Sequence, residues 1–122
     1  MRFKLTTIHV NNLEESIEFY TEFMEMKEVR RFSPNKRMTI VFLDDGAGGI
    51  IELIKNEQEV EPPGDFISIG FVVDNMENIH DKAKKMGVEI IRQPKKLPSG
   101  VTLFFVRDPA GVVVEFIEGF NL

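Results

Sequence analysis

The chain contains no cysteine among its 122 residues, so disulfide bonds and thiolate metal sites are excluded. It also lacks any apolar run near the ~20 residues that a membrane-spanning helix needs. Basic residues are too few to balance the acidic ones, and the net charge is −5. An acidic surface is not attracted to nucleic acid or to an anionic membrane. These absences predict a soluble cytoplasmic protein with neither of those partners.

The apolar content is sufficient for one folded core. It reaches 43%, with eleven phenylalanines, and the chain length is typical of a single domain. A half-length unit would be only marginally stable alone, so two such units are expected to share a core or to pair with another chain.

An internal repeat organises the chain. Two short apolar runs, residues 50–54 and 113–117, each carry one carboxylate at the centre, and these carboxylates, Glu52 and Glu115, are 63 positions apart. The same offset carries residues 39–43 onto 102–106 and residues 8–13 onto 71–76. The sequence therefore predicts one structural unit that occurs twice.

Each copy is predicted to have the order βαβββ, because runs of period two surround one helical pattern. The polar, proline-containing segment 55–65 is the predicted linker. We thus expect an α+β fold, in which a single domain, 1–122, consists of two modules at about 1–57 and 65–122. The strands of the first copy are expected at 3–10, 28–32, 38–43 and 50–54. Those of the second are expected at 66–73, 88–92, 101–106 and 112–117.

Capping and turn residues set the predicted boundaries. An asparagine of the pair Asn11-Asn12 is the expected cap of the first helix, with a glutamate three residues later, and Asp74 with Glu77 repeats that pattern for a second helix over 75–86. Gly87 is a typical left-handed helix terminator. Turns are expected at 33–35 and around 94–100, because proline occurs in both.

The third and fourth strands of each copy are apolar on both faces, which is typical of a sheet covered on both sides. One cover is the helix, and the other is expected to be the curled sheet of the other copy or of another subunit. A cleft is therefore expected, with Glu52 and Glu115 facing it. Two carboxylates in one site favour a bound proton or a metal ion; alternatively, each lies at the wet mouth of the cleft or pairs with an arginine.

Four motifs together resemble the vicinal oxygen chelate superfamily, which includes glyoxalase I, extradiol dioxygenases and the fosfomycin- and bleomycin-resistance proteins. Residues 10–20 are similar to the pattern V-x-D-L-x-x-S-x-x-F-Y of that family. The other motifs are Ile51-Glu52-Leu53, residues 69–74, and Asp108-Pro109-Ala110-Gly111 followed by Val114-Glu115-Phe116. The resemblance implies tandem βαβββ modules whose curled mixed sheets surround a cleft, commonly in a homodimer.

The resemblance also implies a metal site that this chain retains only in part. Members similar to glyoxalase I hold a divalent metal with His, Glu, His and Glu, one from each of four strands. Glu52 and Glu115 match the two glutamates, whereas Leu5 and Ser68 stand at the histidine positions. A complete quartet is therefore absent. His9 is a candidate to assist the two glutamates with a hard or borderline cation, or else it is a neutral histidine beside the cleft.

Further candidates are weaker. The pocket is expected to be lined by Leu5, Thr7, His9, Ser68 and Gly70. Four arginines are candidates for an anionic substrate, although their spacing singles out none of them: Arg30, Arg31, Arg37 and Arg92. His80 is expected at the surface, on the edge of the second helix.

Three functions stay open at this stage. The first is a lyase or isomerase similar to lactoylglutathione lyase, in which a metal polarises neighbouring oxygens of a small substrate. One glutamate would then move the proton and the other would bind the metal. The second is a metal-free module that sequesters a small ligand, as in bleomycin resistance. The third is a duplicated scaffold with no small-molecule role.

Overall fold

The computed structural model describes residues 1–121, so Leu122, at the end of the second predicted module, lies outside the described residues. The chain divides into two compact units that meet between Glu61 and Pro62. We refer to them as unit 1 and unit 2. No helix within residues 1–121 is long and apolar enough to cross a membrane.

Unit 1 is a four-stranded mixed sheet with one helical segment. Its strand order is β1-β4-β3-β2, with β1 parallel to β4 and the other pairs antiparallel. The elements are β1 (Leu5–His9), α1 (Leu13–Glu18), a π-helix (Phe19–Phe23), β2 (Lys27–Asn35), β3 (Met38–Asp44) and β4 (Ile50–Asn56).

Unit 2 repeats this topology. Its sheet has the order β5-β8-β7-β6, with β5 parallel to β8. The elements are β5 (Ser68–Val72), α2 (Met76–Met86), β6 (Glu89–Lys96), β7 (Thr102–Arg107) and β8 (Val113–Glu118). Two mixed sheets with few helices confirm the predicted α+β fold of tandem βαβββ modules.

In each unit the helix covers one face of the sheet. Helix α1 contacts β4, and α2 contacts β6, β7 and β8. The central strands bury their side chains there, as shown by Ile51 and Leu53 in β4 and by Phe104 and Phe116 in β7 and β8. The side chains of alternate residues point to the other face, and in β4 these are only half-buried. The cleft expected beside that other face stays a prediction.

Asparagine caps both helices. An asparagine cap was predicted for the first helix, and of Asn11 and Asn12 it is Asn12 whose side-chain oxygen accepts a hydrogen bond from the backbone N–H of Glu15, at 3.1 Å. In unit 2 the cap is Asn75 and not Asp74, because the Asn75 side chain accepts from Asn78 N–H at 3.0 Å. Asn75 is the residue whose extended backbone directly precedes the first helical turn, which is the geometry of an N-cap.

The π-helix accounts for a difference in length between the units. From the helix cap to the next strand, unit 1 is one residue longer than unit 2, since Asn12 and Lys27 correspond to Asn75 and Glu89. A π-turn spans five residues per hydrogen bond and so accommodates one extra residue. The Met24 N–H donates to the Phe19 carbonyl at 3.1 Å in that way. The periodic pattern of the sequence does not predict this irregularity.

The two helical segments end on residues with left-handed backbone conformations. Gly87 has φ 68° and caps α2, whereas Glu25 has φ 59° at the corresponding place in unit 1. We expect Gly87→Ala to lower the free energy of unfolding by about 1 kcal/mol, because a Cβ is strained in this region. Glu25→Gly should change it in the opposite direction. Urea unfolding of both variants measures this, and the same sign for both would contradict it.

Both edge strands continue through segments that were predicted to be turns. The predicted turn at 33–35 is wrong, because β2 runs to Asn35 and the turn follows it. Likewise β6 passes through Pro94 and ends at Lys96. The register of each strand shifts where its proline lies. Proline is tolerated at such irregularities on an edge strand because no ladder bond needs its missing N–H.

Residues of the linker form hydrogen bonds or an ion pair with the unit to which they belong, on both sides of the boundary. The Asn11 side chain accepts from Val60 N–H at 2.8 Å and donates to the Val60 carbonyl at 3.0 Å. In unit 2, Arg107 pairs with Asp65 at 2.8 Å. Hydrogen bonds and attraction from this guanidinium hold the pKa of Asp65 below its usual value. The ion pair therefore contributes fully to stability at pH values above the ordinary pKa of an aspartate. This contribution is lost as the pH falls through the lowered pKa of Asp65.

Candidate functional site

Glu52 lies at the centre of β4 on the face away from the buried strand residues. Its backbone pairs with Thr7 on one side and with Phe42 on the other, so all three side chains share that face. The Thr7 hydroxyl donates to Glu52 Oε1 at 2.6 Å, a length typical of a hydroxyl bound to an ionised carboxylate. Glu52 is half-buried. Its carboxylate is therefore oriented by a neighbour within the same sheet.

Glu115 has the equivalent position in unit 2 but a different neighbour. It pairs with Gly70 in β5 and with Phe105 in β7. Within residues 1–121 its carboxylate has no hydrogen bond or ion pair. A Cβ added at Gly70 would lie 3.9 Å from Glu115 Oε2 and 3.5 Å from Ile117 Cδ1. A Cβ at this position would therefore lie in ordinary contact with both side chains.

Each glutamate lies in a row of laterally paired residues that runs across the sheet and ends with an arginine on the edge strand. Arg30 pairs with Phe42, and Arg92 pairs with Phe105, so each arginine lies two strands from its glutamate. The Arg30 guanidinium lies 4.5 Å from the centre of the Phe32 ring, and that of Arg92 lies 5.4 Å from the Phe105 ring. These distances are typical of cation–π contacts.

The structure separates the four candidate arginines that the sequence could not rank. Arg31 pairs with Glu14 and Glu28 at 2.8 and 2.7 Å, and its hydrogen bonds lower the pKa of Glu28. Arg37 is 3.7 Å from Glu57. Neither Arg30 nor Arg92 has a carboxylate partner in the part of the chain that is described. The register shifts beside Arg30 and Arg92 set the face of the sheet on which each arginine lies. The sequence gives no clear signal for these shifts.

The residues present do not fit the zinc or nickel quartet that the resemblance implies. Leu5 pairs with Ile50, and it lies two residues before Thr7, the partner of Glu52. Ser68 pairs with Val113, and it lies two residues before Gly70, the partner of Glu115. Leucine has no donor atom, and a hydroxyl is a poor ligand for these metals beside imidazole. The Thr7 hydroxyl engages one oxygen of Glu52. Residues 1–121 contain no cluster of three or more His, Cys, Asp or Glu suited to a metal ion.

The histidines do not fill this gap. His9 is exposed at the end of β1, four residues from Leu5 and so ~13 Å along the strand. It is too far away to take the position of Leu5. His80, expected at the surface, is half-buried, bonded to Gln93 at 2.8 Å and in edge contact with Phe104. It contributes to packing in unit 2.

A groove of about 400 Å³ in unit 1 contains Arg37, one of the four candidate arginines, but none of the predicted glutamate or pocket residues. It is lined by Arg37 and residues 56–60, which are polar and belong largely to the linker. The groove includes Glu57 and Glu59, but neither Glu52 nor Glu115 lines it.

The chain matches the model of a known family. The model of the Glyoxalase/Bleomycin resistance protein/Dioxygenase superfamily matches residues 2–116. The chain belongs to this superfamily. The predicted resemblance is thereby confirmed.

Several relatives carry the name lactoylglutathione lyase. The protein of Neisseria meningitidis serogroup A is 30% identical over 97% of this chain and 91% of its own length. That of Escherichia coli O157:H7 is also 30% identical, over 97% of this chain and 93% of its own. This chain therefore spans nearly all of both relatives.

Solved structures agree with this assignment. Leishmania major glyoxalase I, described as trypanothione-dependent, has a TM-score of 0.83 and 29% identity, over 97% of this chain and 86% of its own. Glyoxalase I from Zea mays has a TM-score of 0.85 and 24% identity, over 98% of this chain but 45% of its own. The maize protein supports the fold alone.

Proposed function

We propose that this protein is a lyase or isomerase similar to lactoylglutathione lyase, acting on a small oxygen-bearing substrate. The observation that carries the proposal is the pair Glu52 and Glu115. Each is at the centre of the fourth strand of its unit, on the face that the helix does not cover. Relatives of the same length with that activity support it.

In this proposal both glutamates are catalytic residues that act on one ligand. A carboxylate within hydrogen-bonding reach can take a proton from a carbon beside an oxygen and return it to the neighbouring carbon. Glu115 suits the role of base because nothing in residues 1–121 engages its oxygens. The remaining surface of the ligand would meet the first strands, at Leu5, Thr7, His9, Ser68 and Gly70.

A divalent metal would have Glu52 and Glu115 as its protein ligands, and oxygen donors favour a hard ion such as Mg²⁺ or Mn²⁺. Because the quartet does not fit, the proton transfer proposed here does not depend on a metal.

We further propose a cytoplasmic homodimer, with no nucleic-acid or membrane partner, of single-domain chains. The exposed phenylalanines Phe3 and Phe66, 85% and 97% accessible before β1 and β5, support pairing with a second copy. Sedimentation of the purified chain tests this.

A second candidate is metal-free binding of a small molecule, of the bleomycin-resistance type. Leu5 and Ser68 favour it, because a binding protein has no need of the two histidine ligands. In that case Glu52 and Glu115 would contact a cationic or hydrogen-bonding ligand without chemistry.

One variant separates the two candidates. In Glu52→Gln/Glu115→Gln, we expect turnover of methylglyoxal with a thiol to be lost and any divalent-ion affinity of the wild type to fall. Glutamine retains the shape but removes the charge, so unchanged urea unfolding serves as the control. Turnover that survives in the double variant would refute these roles. Wild-type protein that binds the product without turnover would favour the binding candidate.

A further inference from the structure

The two catalytic glutamates have unequal surroundings, although the repeat makes them equivalent in the chain. Thr7 and Gly70 are the repeat-related partners of Glu52 and Glu115 in the parallel strand pairs. Thr7 bonds to Glu52, whereas Gly70 offers no side chain to Glu115. The difference therefore comes from one residue type at one position of the repeat.

The hydrogen bond in unit 1 has a defined direction. An ionised carboxylate only accepts hydrogen bonds, so the Thr7 hydroxyl must be the donor. Its proton is then committed to Glu52 Oε1 at 2.6 Å. Threonine has few side-chain rotamers, and a carboxylate that is bound to it loses rotational freedom. Oε2 of Glu52 remains available to a ligand in a fixed direction.

In unit 2 the absence of a side chain has the opposite effect. Gly70 places no side chain and no donor beside Glu115, so both carboxylate oxygens are without a hydrogen bond within residues 1–121. A group that transfers protons must exchange its hydrogen-bond partners during the reaction, which a fixed donor would oppose. Glycine at position 70 thus suits a carboxylate that takes up and releases a proton.

We propose that the Thr7 hydroxyl is a positioning group for Glu52 and that Gly70 keeps Glu115 unconstrained, so that Glu52 orients the ligand and Glu115 exchanges the proton. The roles in orienting the ligand and exchanging the proton rest on the proposed function. The inequality of the two carboxylates is a property of the free protein.

Three variants and one control test it. Thr7→Val removes the hydroxyl with little change of shape, whereas Thr7→Ser keeps the hydroxyl. Gly70→Ser adds a hydroxyl beside Glu115. The added Cβ meets Ile117 and Glu115 at ordinary contact distances. Thr6→Val is the matched control, because Thr6 is the neighbour on the opposite face of β1.

The first readout is NMR of protein labelled at the glutamate carboxyl carbons, without ligand. We expect Thr7→Val to move the resonance of Glu52 and not that of Glu115, and Gly70→Ser to move that of Glu115. Thr6→Val should move neither. If Thr7→Val leaves the Glu52 resonance in place, the positioning role is wrong, whatever the activity of the protein.

The second readout is turnover of methylglyoxal with a thiol. Thr7→Val should lower kcat about tenfold, the effect of one hydrogen bond to a charged group, with a smaller change in KM. Thr7→Ser should recover most of the loss. Gly70→Ser should also lower kcat about tenfold, and an unchanged kcat would overturn the role of Gly70. No turnover by the wild type would instead refute the proposed function, while the carboxyl resonances still decide the inequality.

Discussion

Glu115→Gln is expected to lower kcat for methylglyoxal with a thiol by about 10²- to 10⁴-fold, the usual contribution of a general base. Glutamine cannot take up a proton, but it occupies the same space on β8. Glu52→Gln should cost less, about 10- to 100-fold, because an amide oxygen still accepts from Thr7 and still contacts a ligand. Steady-state kinetics of both variants measures the difference.

The control for this prediction is Glu118→Gln on the same strand. Glu118 accepts a long hydrogen bond of 3.4 Å from Met76 N–H, which an amide oxygen can also accept. Its activity should stay within about twofold of the wild type, as expected for a surface change away from the chemistry. Equal losses in Glu115→Gln and Glu118→Gln would indicate a general effect of charge and would contradict the assigned base.

The largest expected change in stability is that of Phe104→Ala. Phe104 is fully buried in unit 2, stacked on Phe116 with ring centres 5.7 Å apart, and in contact with the ring of His80. Truncating such a residue removes its buried area and leaves a cavity, which costs about 3–5 kcal/mol. We expect the midpoint of urea unfolding to fall accordingly.

Phe66→Ala provides the matched comparison for Phe104→Ala. Phe66 is 97% accessible, so its truncation should change the stability of the isolated chain by no more than about 0.5 kcal/mol. A loss for Phe66→Ala as large as that for Phe104→Ala would mean that Phe66 is buried in solution, in a dimer or otherwise. The comparison should therefore be repeated over a range of protein concentrations.

The sequence was sufficient to predict the repeated topology because each copy of the repeat has the same local pattern of apolar strand residues and helix-capping residues. The offset between Glu52 and Glu115 placed both at the centre of a fourth strand, and both are there. The pair Asn11-Asn12 and Gly87 marked helix ends through conformational preferences that belong to single residues. Such signals do not depend on the rest of the fold.

The features that were missed depend on pairing between distant segments. Pro34 reads locally as a turn, and only its place on an edge strand with a shifted register allows it to remain in β2. The π-helix follows from one extra residue that had to fit between a fixed cap and a fixed strand. Arg30 and Arg92 reach the rows of the glutamates through strand irregularities. None of these can be read from periodicity alone.

The site was predicted as a list of residues, whereas its chemistry depends on contacts between them. Thr7 and Gly70 were both expected in the pocket. The hydrogen bond from Thr7 to Glu52 and the contact distances at Gly70, which distinguish the two glutamates, required coordinates. The loss of the histidines at Leu5 and Ser68 was already visible in the sequence, because it concerns residue identity and not geometry.

The most direct test of the central claim is a crystal structure of the protein with bound lactoylglutathione. We predict that carboxylate oxygens of Glu52 and Glu115, from one chain or from two, lie within about 3.2 Å of the same ligand molecule. A ligand bound against only one of these glutamates, or away from both, would contradict the account.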